Sequence, residues 1–299
     1  MEGLAYTATP GDRAPDRRAD PGWVAQRLER DDTRVVPMWR DRPLVAAAPV
    51  TLIGPAARAV LAAATQTVLL HLDGSTAVFA ADLSEVEEGE ALRLAGADAS
   101  VDLRGLAGGL PGPELSTLAY ARGLLHWNRR TRFCGTCGSP ASSLHAGHVR
   151  ECIQCGRQMF PQVEPAVIAL VESPGPAPRC LLARHRGAGP DGFSLLAGFV
   201  EVGESMEGAV RREVAEEAGL TVGAVTYQGS QGWPFPSGLM AGFVARATSE
   251  AVAVDGVELL EARWFTRGEV VARIVDGPGS GPPDSIGGHL LRSWAGLSA

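Results

Sequence analysis

Residues 198–220 read GFVEVGESMEGAVRREVAEEAGL, and this stretch decides the architecture of the C-terminal half. Ser205 is a good helix N-cap, Glu207 falls in the first turn, and Gly219 stands where a helix stops. Met206, Val210 and Val214 recur every four residues as an apolar stripe. On that helix Glu213, Glu216 and Glu217 share an arc of roughly 100° beside the stripe. Three carboxylates on one face repel each other by a few tenths of a kcal/mol per pair, so as plain surface the arrangement is unfavourable. A hard cation such as Mg²⁺ or Mn²⁺ removes that penalty, because it takes carboxylate oxygens and bridges substrate phosphates. The bland alternative is a solvated acidic face, and Gly198, Glu204 and Arg212 at their fixed offsets argue against it. Arg212 is expected to pair with Glu204 and brace the preceding loop on the helix, with Gly198 and Gly219 as structural partners.

Around this stretch the chain has 299 residues, 45% hydrophobic and 20% charged, which predicts about two domains with a full core. A net charge of -7 argues against broad non-specific nucleic-acid binding, but it leaves room for a nucleotide or an RNA end in one pocket. No secretory signal is expected at the N-terminus. The apolar region 44–72 is broken by Pro49, Pro55 and Arg58 and predicts no membrane span. Of five cysteines, four stand in close pairs, which points to metal binding in a reducing cytoplasm rather than to disulfides.

Taken in order, residues 1–20 are rich in Pro, Gly, Asp and Arg and read as a loose tail. Residues 21–127 read as an α/β domain ending in a helix over 114–126. Within it, apolar runs at 67–72 and 77–80 flank Asp73-Gly74, a hairpin signal, and 85–95 reads as a helix or polar connector. This domain carries no catalytic motif and reads as a scaffold. Arg129, Arg130 and Arg132 read as a solvated basic turn rather than a phosphate site. In residues 128–160, Cys134-Gly-Thr-Cys137 and Cys152-Ile-Gln-Cys155 are separated by fourteen residues. Four thiolates so spaced suit one tetrahedral Zn²⁺ with no open position, hence a structural ion. His145 and His148 lie between the pairs, but the four cysteines already fill the site, and Cys180 reads as a core residue. In residues 161–299, strands are expected at 165–172, 179–184, 239–247 and 262–266, with helices at 268–275 and 285–297 separated by the Pro/Gly-rich run 277–283.

A second motif, residues 230–240, reads SQGWPFPSGLM. Pro234 and Pro236 are expected to hold an extended backbone that presents Trp233 and Phe235 rigidly. Such aromatics beside a phosphate-handling helix suit stacking on a base or a nicotinamide ring, with a packed loop as the alternative.

The 198–220 stretch resembles the complete Nudix box, and 230–238 resembles the SQPWPFPxS signature of the NudC-like NADH pyrophosphatases. With the four-cysteine ribbon and the N-terminal domain, the resemblance covers nearly the whole chain. It implies an α/β (α+β) fold: an N-terminal α/β domain, a four-cysteine zinc ribbon and a C-terminal Nudix α/β/α sandwich. It also implies metal-dependent hydrolysis of NAD(H) to NMN(H) and AMP, removal of NAD caps from RNA in bacterial members, and a homodimer. The implied Mg²⁺ or Mn²⁺ ligands are Glu213, Glu217, Glu258 and the Ala197 carbonyl, with Glu216 as a further ligand or base. The implied substrate contacts are Phe160, Ile168, Phe199, Gln231, Gly232, Trp233, Pro234, Phe235, Pro236, Ser237, Gly238 and Gly287. The chain departs from the family pattern at several places. Phe160 replaces a common tyrosine, Gly232 the first proline of the signature, Ser237-Gly238 its Gln-Ser pair, and Gln162 a common arginine. Residues 285–289 lack the family's arginines. These changes leave the carboxylates intact and the preference among NADH, NAD⁺ and capped RNA open. Two rivals remain: a Nudix enzyme for ADP-ribose or a dinucleoside polyphosphate, and a non-catalytic nucleotide- or RNA-binding module. The complete set Glu213, Glu216 and Glu217 argues against the second.

Overall fold

The computed structural model describes residues 3–254, 256–275 and 284–297, and the Pro/Gly-rich run 277–283 lies outside them. The chain divides into two compact units, Tyr6–Gln162 with Pro234–Ser237, and Met1–Ala5 with Val163–Trp233 and Gly238–Ala299.

The N-terminal unit runs α1 (Pro15–Arg18), α2 (Pro21–Leu28), β1 (Arg34–Trp39), β2 (Arg42–Val45), α3 (Gly54–Ala63), β3 (Gln66–Asp73), β4 (Thr76–Asp82), α4 (Glu88–Ala95), β5 (Ala99–Ser100) and α5 (Gly112–Arg130). Its five-stranded sheet has the order β3-β4-β1-β2-β5, antiparallel except for the β1–β4 pair. The hairpin expected around Asp73-Gly74 is the β3–β4 pair. Helices α3 and α4 pack Ala57, Val60, Ala91 and Ala95 against Val35, Leu44 and Ala81. The alternate residues Val36, Met38, Val68 and Ala80 are buried as well, and α5 lies against β1 to β4. A three-stranded ribbon follows, β6 (Ala141–Leu144), β7 (Val149–Cys152) and β8 (Gln158–Met159).

Two expectations for this half need correcting. Residues 3–20 are not a loose tail. Ala14 is buried and Asp12 exchanges backbone hydrogen bonds with Leu72, so an apolar anchor and a strand edge order a polar sequence, while Leu4 and Ala5 are buried as part of the C-terminal unit. Arg129 is not a solvated turn residue. It belongs to α5, is largely buried, and pairs with Asp41 and the fully buried Asp82.

The C-terminal unit runs β9 (Glu164–Glu172), β10 (Cys180–His185), β11 (Phe193–Ser194), β12 (Leu196–Phe199), α6 (Met206–Ala218), β13 (Val222–Trp233), β14 (Gly238–Ala247), β15 (Leu259–Phe265), α7 (Arg267–Val275) and α8 (Ile286–Ala295). β9 sits centrally, parallel to β14 and antiparallel to β10 and β12, and β15 pairs with β10. Strand alternation makes two cores, because successive side chains point to opposite faces. Val167, Ala169, Val171, Leu181 and Ala183 meet Val210 and Val214 of α6. Leu170, Cys180 and Leu182 meet Val270, Leu290 and Trp294 of α7 and α8. The result is a sheet with helices on both faces, the sandwich that the resemblance implies.

Candidate active site

The acidic helix forms as its sequence dictates. The Ser205 hydroxyl accepts from Gly208 N–H at 3.0 Å and caps α6. At the other end Gly219 adopts φ 65° and closes the helix through the Ala215 and Val214 carbonyls. A side chain at Gly219 would also stand 3.0 Å from the Ala253 carbonyl oxygen.

Arg212 is the hub of the box. It donates to both oxygens of Glu204 at 2.8 and 3.0 Å, to Glu213 at 2.8 Å, to Glu216 at 3.1 Å and to the Phe199 carbonyl at 2.8 Å. The expected Arg212–Glu204 pair is therefore present, and it ties the loop to the helix. This bonding holds the Glu204 carboxyl below the usual carboxylate range and pushes the Arg212 guanidinium up. Gly198 on β12 faces the same cluster. A Cβ there would lie 1.9 Å from Glu213 Oε1, so the Glu213 carboxylate occupies the space a side chain would fill. That cradle explains why the position is glycine. Ala197, whose carbonyl is an expected ligand, pairs with Ile168 in the β12–β9 ladder.

The carboxylates divide into two groups. Glu213 and the exposed Glu216 are engaged by Arg212. Glu217, only 4% exposed, instead has an oxygen within 4.8 Å of ligand atoms of Glu258 and His185. Sequence reasoning missed His185. It ends β10 next to two arginines and belongs to no motif, and its neighbours come from α6 and from the segment before β15. Two carboxylates and an imidazole converging in this way form a donor set that fits a divalent cation.

The aromatic stretch is built differently from the expectation. Trp233 and Gly238 are paired residues that close the β13–β14 hairpin, so Pro234–Ser237 form its four-residue turn and not an extended run. Gln231 is 1% exposed. Its amide donates to the Ala5 and Asp284 carbonyls at 3.0 and 2.9 Å and accepts from Ile286 N–H at 2.8 Å. Its side chain is spent on internal bracing. Phe235 is likewise occupied. Arg104 lies 3.9 Å and Arg122 5.0 Å from its ring centroid, and Tyr6 meets it edge-on at 5.9 Å. Arg122 also donates to the carbonyls of Pro234, Pro236 and Asp41. Trp233 is half-buried at the strand end. Gly232 lies in β13 opposite Leu239. Phe160 and Phe199 are 56% and 64% exposed, whereas Ile168 packs toward the α8 core, 3.1 Å from where a Gly287 side chain would start.

The four ribbon cysteines come together. Their sulfurs stand 3.8 Å (Cys134–Cys155), 3.4 Å (Cys137–Cys152) and 3.7 Å (Cys137–Cys155) apart. A tetrahedron with Zn–S bonds of 2.3 Å has edges of roughly 3.8 Å, so the set fits zinc without rearrangement. Gly138 and Gly156 take φ 74° and 70° to turn each knuckle, and Thr136 N–H points at Cys134 Sγ at 3.4 Å. Backbone donors from Thr136 and Cys137 bring the Cys134 thiol down to about 6, as a thiolate ligand requires. Neither intervening histidine joins the set. His148 is buried and donates from Nε2 to the Leu69 carbonyl at 2.7 Å while Arg18 donates to its Nδ1 at 3.1 Å.

A helix bearing these carboxylates between β12 and β13, over a mixed sheet, defines a Nudix-type hydrolase domain carried with a thiolate zinc ribbon. Family comparison agrees, segment by segment. A NUDIX domain matches residues 163–282, an NADH pyrophosphatase-like rudimentary NUDIX domain 32–127, and an NADH pyrophosphatase zinc ribbon domain 129–160. The three segments follow one another along the chain as the resemblance to the NudC-like NADH pyrophosphatases implies. The chain is 41% identical over 206 residues to the NAD-capped RNA hydrolase NudC of Mycobacterium tuberculosis, covering 66% of this chain and 65% of that protein. It is 39% identical over 193 residues to the NAD-capped RNA hydrolase NUDT12 of Homo sapiens, covering 60% of this chain and 42% of that one. The matches thus span less than two thirds of either curated relative. A solved NUDIX hydrolase from Nitrosomonas europaea aligns with TM-score 0.40 and 25% identity, over 46% of this chain and 80% of that one. Among the described residues, no helix is long and apolar enough to cross a membrane.

Proposed function

We propose that this protein is a metal-dependent diphosphatase that cleaves NAD(H) to NMN(H) and AMP and accepts the NAD-capped 5′ end of RNA as a larger form of the same substrate. The observation that carries the proposal is the convergence of Glu217, Glu258 and His185 beside an Arg212-braced carboxylate helix. Kinship with two NAD-capped RNA hydrolases directs it toward a dinucleotide.

Glu217 and Glu258 would hold the cation, Mg²⁺ or Mn²⁺, with Glu213 and Glu216 beside them on α6. When bound, such an ion neutralises phosphate charge and makes water a better nucleophile. Water attacks one phosphorus of the diphosphate, the bridging P–O bond breaks, and AMP or NMN(H) leaves. The proton from water passes to a carboxylate that reaches solvent, Glu216 or Glu258, both exposed. Trp233, at the end of β13, would stack on a planar ring of the substrate. We further propose a cytoplasmic homodimer. In support, Phe199 and Val202, at the entry to the box, leave large apolar side chains exposed.

Product analysis tests this reading. NADH, NAD⁺, ADP-ribose and NAD-capped RNA are each incubated with the protein and Mg²⁺ or Mn²⁺. AMP plus NMNH from NADH, or NMN-releasing cleavage of capped RNA, at the highest kcat/KM supports it. Preference for ADP-ribose would mean that Gly232 and the Ser237-Gly238 pair have redirected the site. Absence of turnover on all four would point to a binding module.

A further inference from the structure

We infer that His185 supplies an imidazole nitrogen to the catalytic cation, so that the site has mixed oxygen and nitrogen donors and favours Mn²⁺ over Mg²⁺. The inference rests on the reading of this cluster as the metal site. Three separate features of the fold bring His185 there. First, the β10–β15 ladder is irregular at this residue: Arg184 pairs with Glu261 but His185 with Leu259. Leu260 is the extra residue. It is 40% exposed, while Leu259 is fully buried in the core beneath α6. Such bulges bend a strand and re-aim side chains, and they are frequent beside active sites. Second, Arg186 fastens the segment that carries Glu258. Its backbone N–H donates to the Glu258 carbonyl at 3.0 Å, and its guanidinium donates to Val257 and Gly256 carbonyls at 2.8 and 3.1 Å. Third, α6 delivers the buried Glu217 carboxylate to the same point, with all three ligand atoms within 4.8 Å of one another.

The chemistry of the set gives the preference. Mg²⁺ takes oxygen donors and holds its waters tightly, whereas imidazole nitrogen suits transition ions. One nitrogen among carboxylates therefore leaves Mg²⁺ usable while tilting the balance toward Mn²⁺.

The test loads the zinc-replete full chain with Mn²⁺ and reads nitrogen coupling by pulsed electron paramagnetic resonance, alongside Mn²⁺ and Mg²⁺ binding titrations. Wild type should show imidazole-type ¹⁴N modulation. In His185→Gln the modulation should vanish while Mn²⁺ still binds, and the Mn²⁺-to-Mg²⁺ affinity ratio should fall roughly tenfold. Mn²⁺ that binds in a Glu217-dependent way without ¹⁴N coupling overturns the role of His185 and leaves the carboxylate metal site standing. Failure of Mn²⁺ to bind in any way that Glu217→Gln abolishes overturns both. Absence of ¹⁴N modulation in the wild-type spectrum overturns the role of His185 whether or not a variant folds.

Discussion

At the scale of single residues, Gly198 is the sharpest case of a side chain excluded by chemistry rather than by packing. The atoms a Cβ would meet at 1.9 to 2.5 Å all belong to the Glu213 carboxyl group, the mobile end of a flexible side chain. Gly198→Ala should therefore fold, since Glu213 can swing aside, yet it should misplace that carboxylate. We expect thermal melting within a few degrees of wild type and kcat/KM lowered at least about tenfold, since a catalytic group displaced by an ångström costs that much or more. A variant with full activity would show that Glu213 takes no part. Gly198, Glu204, Arg212 and the three helix glutamates were legible in the sequence because they lie within twenty residues and act through helical spacing. His185 was not, because a bulge in a partner strand brings it to the site and no local pattern encodes that.

At the scale of elements, the β13–β14 hairpin shows how a correct motif can mislead about geometry. The prolines of Trp233-Pro-Phe-Pro suggested a stiff extended run, but the strands pair up to Trp233 and Gly238, and the prolines make the turn between them. The partners of that turn are Arg104 and Arg122, more than a hundred residues away in sequence, so no reading of the motif alone could have found Phe235 already covered. Arg122→Ala removes its donors to Pro234, Pro236 and Asp41 and its contact with Phe235. The turn should then sample several conformations, raising KM for the dinucleotide several-fold with a smaller change in kcat; equal losses in both would place Arg122 in the chemical step instead. The zinc ribbon is the opposite case. Two short cysteine pairs stated the site in full, and the sulfur separations match it. Removing zinc with a chelator should lower the melting temperature by on the order of 10 °C, because the four thiols lose the metal bonds that cross-link the two glycine turns. An unchanged melt of verified zinc-free protein would reject the structural role.

At the scale of the whole molecule, the ribbon was readable from its cysteine spacing and the sandwich from the resemblance that residues 198–220 carry. What the sequence concealed was the buried polar framework that fixes the ribbon to the N-terminal sheet. Asn128 donates to the Gly147 carbonyl, Arg150 to Asn128 and Gln66, and His148 to Leu69. His148 makes this framework sensitive to pH. Burial pushes its imidazole down to about 4 from an ordinary value near 6.5, against the raising effect of the Leu69 carbonyl, and Arg18 and Arg13 lower it further. The folded chain thus refuses a proton that the unfolded chain accepts. Between pH 6.5 and 4 the unfolded state binds more protons, so stability falls as pH falls, and it is fully present only above 6.5. A displacement of that size corresponds to up to about 3 kcal/mol at the acid end of the window. Asp41 behaves separately. Although burial opposes it, His126 and Arg129 hold its carboxyl below the ordinary 3.8, so its contribution is lost only under more acid conditions. His71, also pushed down by burial, adds to the same window as His148, so replacing one histidine should flatten the profile without abolishing it. Urea unfolding at pH 7, 6 and 5, with zinc occupancy verified at each, should show the loss in wild type. His148→Gln, which keeps a donor for the Leu69 carbonyl but cannot titrate, should lose distinctly less. Superimposable pH profiles for the two proteins would mean that His148 is not the group that senses acid.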